Sequence, residues 1–156
     1  MTGEPLCVDL IERYLRTRGR RYFRGHHDGE FFFVAEAQPR RLHVHLEISP
    51  SHDDVLIVRV APGCFFPAVD RPWLAHFSER WSRLDRGVTA VVHDSSDPQR
   101  IGVVARTSQW IPADVPFEDF ATFVDRTIAA ATELFAALHQ ITELPSATGP
   151  LVRDAG

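Results

Sequence analysis

The sequence predicts an α+β fold: an antiparallel sheet of five to six strands, with N-terminal, middle and long C-terminal helices packed mainly on one face. Three observations predict it. Apolar residues recur at three- and four-residue spacing near the start, in the middle and over the last third of the chain. Between these stretches apolar and polar residues alternate singly, most cleanly over residues 41–48. Hairpin signals separate the alternating segments.

Each element has its own local reason. Residues 5–18 read as a helix with Cys7, Leu10, Ile11, Tyr14 and Leu15 on one side and Asp9, Glu12, Arg13 and Arg16 opposite. Gly19 stops it, because glycine takes a left-handed cap without steric cost. Residues 20–24 read as a strand running into His26-His27-Asp28-Gly29, where Asp-Gly signals a tight hairpin turn. Phe31–Val34 is apolar on both faces, which predicts a strand deep in the sheet. In residues 41–48, Leu42, Val44, Leu46 and Ile48 share one face, and Arg41, His43, His45 and Glu47 share the other. Val55–Val60 returns as the hairpin partner.

Pro62–Pro67 breaks the pattern. Asp70 is then placed to cap a second helix, with Pro72 in its first turn; its apolar stripe is Trp73, Phe77, Trp81 and Leu84, and Gly87 ends it. Strands at about 88–93 and 100–107 flank the turn Asp94-Ser95-Ser96-Asp97-Pro98. The last helix is expected over residues 116–141, a span of about 39 Å. Its stripe is Phe117, Phe120, Val124, Ile128, Ala131, Phe135 and Leu138, broadened by Phe123, Leu134 and Ile141. Residues 1–142 are expected to form a single domain, and residues 143–156 a flexible C-terminal tail.

Composition bounds the function. A chain of 156 residues buries about two-thirds of its unfolded surface and needs no staple. Its 44% hydrophobic and 24% charged residues are those of an ordered globular protein. Cys7 and Cys64 form no zinc spacing, and are expected to be small buried residues in a reducing compartment. No apolar run is long enough to span a membrane, and the first residues lack the pattern of a signal peptide, so a cytoplasmic location is the expectation. All 17 basic residues are arginine, and the net charge of -4 gives no global attraction to nucleic acid or to anionic lipid.

Several patterns invite chemistry. His43 and His45 share a strand face at about 7 Å, a workable start for two metal ligands, with Glu47, His93, His26 or His27 to complete a set. Ser51-His52-Asp53 does not make a catalytic triad, because adjacent loop side chains diverge. Cys64, between Gly63 and Phe65-Phe66, sits in an apolar context that blunts thiol reactivity. No glycine-rich phosphate loop is present. Arg13, Arg16, Arg18, Arg20, Arg21 and Arg24, interleaved with Tyr14, Tyr22 and Phe23, form a cluster suited to an acidic peptide or to phosphates.

One resemblance covers residues 6–141. It rests on the opening helix ending in Arg18-Gly19, the Phe31–Val34 strand and the tryptophan-bearing helix Trp73-Leu74-Ala75-His76-Phe77-Ser78-Glu79-Arg80-Trp81. It continues through Asp97-Pro98 before Ile101–Thr107, then Trp110-Ile111-Pro112 and Phe117-Glu118-Asp119-Phe120. This layout resembles the YbjN-like family, whose fold is similar to that of type III secretion chaperones. The resemblance implies a cytoplasmic, often dimeric, non-enzymatic protein that holds a segment of another protein; it supplies no catalytic residues. The strand at 20–24 is an addition to the smaller chaperones.

The function expected from sequence is therefore a protein-binding, chaperone-like adaptor or regulator, without cofactor or resident metal, whose partner is another protein or a second copy of itself. Its expected contact residues are His43, His45, Arg59, Trp73, Phe77 and Trp81, and its anionic-partner cluster is Arg13, Arg16, Arg20, Arg21 and Arg24. One alternative is a metal-dependent module or enzyme around His43 and His45. The other is a nucleic-acid binder using the arginine cluster.

Overall fold

Seven strands, all paired antiparallel, form one sheet flanked by three helices, in a computed structural model that describes residues 3–37 and 40–148. In chain order the elements are α1 (Val8–Thr17), β1 (Tyr22–Arg24), β2 (Glu30–Ala35), β3 (Leu42–Ile48) and β4 (Val55–Pro62). They continue with β5 (Phe66–Pro67), α2 (Arg71–Arg83), β6 (Thr89–Asp94), β7 (Arg100–Trp110) and α3 (Phe117–Thr148). Across the sheet the order is β1-β2-β3-β4-β7-β6, and the short β5 pairs with the edge of β7 that β4 also uses. The α+β prediction holds, with β5 as an extra strand.

Alternation decides the two faces. One row across five strands, Phe33, Val44, Val60, Ala105 and Ala90, is buried throughout. The helices cover this face. Leu10, Ile11, Tyr14 and Leu15 of α1 and Phe120, Val124, Ala131, Leu134 and Leu138 of α3 join the same core. Tyr14 meets Phe120 edge-to-face at 6.2 Å, and its hydroxyl donates to Asp125 Oδ1 at 2.6 Å, which locks α1 to α3. No helix among the described residues is long and apolar enough to cross a membrane.

Local expectations are corrected at five places. Gly19 does take a left-handed φ of 65°, but Gly29 does not; the β1–β2 connection is a longer loop, and Gly29 is needed because a Cβ there would lie 2.9 Å from that of Ile48. Asp70 occupies the N-cap position of α2 without a side-chain cap bond, since a 3₁₀ turn, Ala68–Asp70, already carries the chain into the helix. Phe31–Val34 is buried on one side only: Phe32 and Val34 are 40% and 41% exposed. Cys7 and Cys64 are half-buried, not buried. Helix α3 runs to Thr148, past the expected end at 141, and residues 149–156 of the proposed tail lie outside the described residues.

Candidate functional site

The face of the sheet turned away from the helices carries the candidate site. Register places Phe23, Phe32, His45, Arg59, Arg106 and Thr89 in one row across six strands. Val34, His43 and Ala61 form the next row, and Glu30, Glu47, Ile57 and Ser108 the row on the other side. Phe23 is 73% exposed, and with Phe32 and Val34 it leaves an apolar patch that no helix among the described residues covers. These three, with His43, His45 and Arg59, line a hollow of about 540 Å³. His43, His45 and Arg59 of the expected contact set are thus brought together. Trp73, Phe77 and Trp81 are not: they lie along α2, beyond the β6 edge and on the helical side, around a separate apolar hollow of about 620 Å³.

One end of the open face is a continuous polar network. His27 Nε2 meets Glu47 Oε2 at 2.9 Å; Arg59 Nη1 donates to Glu47 Oε1 at 2.9 Å and to His45 Nδ1 at 3.2 Å; His45 Nε2 meets Glu30 Oε2 at 2.8 Å. Glu30 Oε1 also accepts from the backbone N–H of His26 at 2.9 Å. The imidazole of His45 stacks on Phe32 with 4.5 Å between ring centroids. Burial pushes the Glu47 carboxyl up, but the bonds from His27 and Arg59 and the guanidinium charge outweigh it and hold it below the ordinary value. At Glu30 burial likewise opposes, and the bonds from His45 and His26 win.

The ligand atoms of His27, Glu30 and Glu47 lie within 4.8 Å of one another, and this trio, not the His43/His45 pair, is the group able to approach a metal among the described residues. The proton geometry works against it. Gly29 N–H donates to His27 Nδ1 at 3.3 Å and Arg59 donates to His45 Nδ1, so each ring accepts at Nδ1 and carries its proton on Nε2, toward a carboxylate. Metal binding at His27 Nε2 would require moving its proton to Nδ1, where the Gly29 N–H already stands as a donor. The guanidinium of Arg59 supplies the positive charge that the carboxylates demand.

Because both carboxylates ionise more easily in the folded chain than in the unfolded one, their contribution is complete above the unfolded carboxylate range and is lost as pH falls through their folded values. Urea unfolding as a function of pH should therefore show a falling acid limb, and Glu47→Gln should make it shallower. A limb unchanged by this substitution would show that the network does not couple to folding.

The arginine cluster divides. Arg13 pairs with Glu4 at 2.7 Å, Arg18 with Asp125 at 2.6 Å, and Arg24 with Glu12. Arg16, Arg20 and Arg21 form no ion pair among the described residues; Arg20 lies over the Phe33 ring at 5.0 Å with its Nε buried and unpartnered. Half of the cluster is therefore structural, which weakens a phosphate-tracking surface.

Sequence reasoning missed Phe23, Phe32 and Arg106 as parts of the face and Glu30 as the partner of His45; it named His27 and Glu47 only as candidate ligands beside His43 and His45. Strand alternation carried the signal, but only the registers align it. It also missed a hollow of about 850 Å³ between the α2–β6 turn, the end of β7 and α3. There the inward positions of β7 turn from Ala105 to Thr107 and Gln109.

No family model and no curated protein matches this chain. Solved structures do. The crystal structure of YbjN from E. coli, described as a candidate transcription regulator, superposes over 86% of this chain and 96% of its own, with a TM-score of 0.63 and 18% identity. The chain has the YbjN-like fold. An uncharacterized protein from Methanothermobacter thermautotrophicus is similar in fold to this chain over 85% of this chain and 96% of its own, at a TM-score of 0.51 and 12% identity. At these identities the likeness concerns the arrangement of helices and strands, and the chemistry of the open face is this chain's own.

Proposed function

We propose that this chain is a non-enzymatic protein-binding module, chaperone-like in that it holds a partner segment against its open sheet face without turnover. The observation that carries this reading is the bare row Phe23–Phe32–His45–Arg59–Arg106. It presents large apolar side chains beside cations on a rigid scaffold, as recognition surfaces do. Its carboxylates are already engaged: Glu47 and Glu30 bond to Arg59 and the imidazoles, while Arg106 has no acidic partner among the described residues. Charge complementarity therefore favours a segment that lays apolar side chains on Phe23, Phe32 and Val34 and turns a carboxylate toward Arg106.

The test places photoreactive benzoylphenylalanine at Val34, with a control at Arg126 on α3. The Val34 probe should label one partner in native extract. That partner, identified and purified, should bind the wild-type chain, and Phe32→Glu should weaken binding by about ten-fold or more, the loss expected at a central contact. Equal labelling from both positions, or unchanged affinity after Phe32→Glu, would remove the reading. Products containing only this chain would replace the partner with a second copy.

A further inference from the structure

The sheet has two edges, and they are finished differently. At β6 the groups pointing outward belong to Ala90, Val92 and Asp94. Ser82 from α2 accepts the Ala90 N–H at 3.0 Å, and His93 Nδ1 lies 3.0 Å from the Asp94 carbonyl oxygen, so side chains occupy that edge at both of its ends.

The β1 edge has no such cover. Gly25 N–H donates to Glu30 O at 2.8 Å, which fixes the hydrogen-bonded pairs and gives Phe23's backbone groups to β2. The N–H and C=O of Tyr22 and Arg24 therefore face outward, and no backbone or side-chain partner meets them among the described residues. Beside them stand the exposed ring of Phe23 and a shallow hollow lined by Arg20, Arg21, Tyr22 and Phe23. The three arginines left without ion pairs, Arg16, Arg20 and Arg21, precede this same edge. The neighbouring carboxylate, Glu12, is already held by Tyr22 and Arg24.

We infer that the free edge of β1 accepts an extended, acidic segment of a partner protein as an added strand. The inference rests on the protein-binding reading above and names the conformation and charge of what is bound. A strand beside β1 gains main-chain bonds from Tyr22 and Arg24, apolar contact with Phe23, and carboxylate contact with Arg20 and Arg21. Since β1 is only 3 residues long, the side chains must supply much of the affinity, and charge selects the partner. Phosphates could accept from the outward N–H groups but offer no donor to the outward carbonyls, whereas an extended peptide matches both, which is why a peptide is favoured.

The probe is a synthetic peptide alternating valine with glutamate, titrated against the full chain while backbone amide exchange is followed by NMR. Three controls accompany it: the same peptide N-methylated on alternate residues, one with arginine in place of glutamate, and a single-stranded oligonucleotide. The expected result is saturable binding with slowed exchange at the amides of Tyr22 and Arg24, lost on N-methylation and weakened by salt. Arg21→Glu, at an exposed site, should weaken it by about ten-fold. No binding, binding without protection of these two amides, equal binding of the arginine peptide, or tighter protection by the oligonucleotide would each overturn the inference. Labelling from Val34 without protection at β1 would retire the edge while leaving the sheet-face reading in place.

Discussion

Replacing Phe31 with alanine should lower the unfolding free energy by about 3–5 kcal/mol, the range for emptying a large aromatic site in a packed core. Phe31 is fully buried on β2, opposite Leu46, with Tyr22 edge-on at 5.9 Å and the Arg24 guanidinium over its ring at 5.7 Å. Removal thus takes away a core side chain and the platform that holds β1 against the sheet. Urea titration should show a lower midpoint with little change in slope. A loss below about 1 kcal/mol would mean that the site collapses around the deletion, or that Phe31 is not buried as described.

The second large effect is at the junction of α1 and α3. Tyr14 is fully buried and its hydroxyl depends on Asp125, which also receives Arg18 Nη2 at 2.6 Å. The Arg18–Asp125 pair is partly exposed and adds little by itself. Asp125→Ala should nevertheless cost about 1–3 kcal/mol, because a buried hydroxyl loses its acceptor. Tyr14→Phe should cost less, since it removes the donor together with the need for the acceptor. If Tyr14→Phe proves the more damaging, packing of the ring outweighs the bond.

This junction also predicts opposite pH limbs. Burial, then the bond to Asp125, raises the Tyr14 phenol well above its ordinary value, so the unfolded chain ionises first and stability falls as pH rises beyond about 10. Tyr14→Phe should flatten that alkaline limb. Burial pushes the Asp125 carboxyl up, but the bonds from Arg18 and Tyr14 hold it low, so its contribution is lost on acidification.

Element type was legible wherever one side of an element is buried. The alternation of Leu42, Val44 and Leu46 and the spacing of Leu10, Ile11, Tyr14 and Leu15 state their burial directly. Phe31–Val34 misled because an apolar run reads as buried on both sides, while here its second side lies on the open face of the sheet. The network was half legible. His43, His45 and Glu47 share a face by simple parity, but the approach of His27 depends on a loop whose turn type the sequence misstates, and that of Glu30 on the β2–β3 register. Pairing among the arginines was not legible at all, since Asp125 lies 107 residues from Arg18.

The unequal borders of the sheet limit what it can build. Propagation of a ribbon from copy to copy needs two bare borders per molecule, and here Ser82 and His93 already occupy groups of Ala90 and Asp94 along one of them. A copy arriving at that border would have to displace these side chains, whereas one arriving at Tyr22 and Arg24 meets open groups, so the two borders are unequal hosts for an added strand.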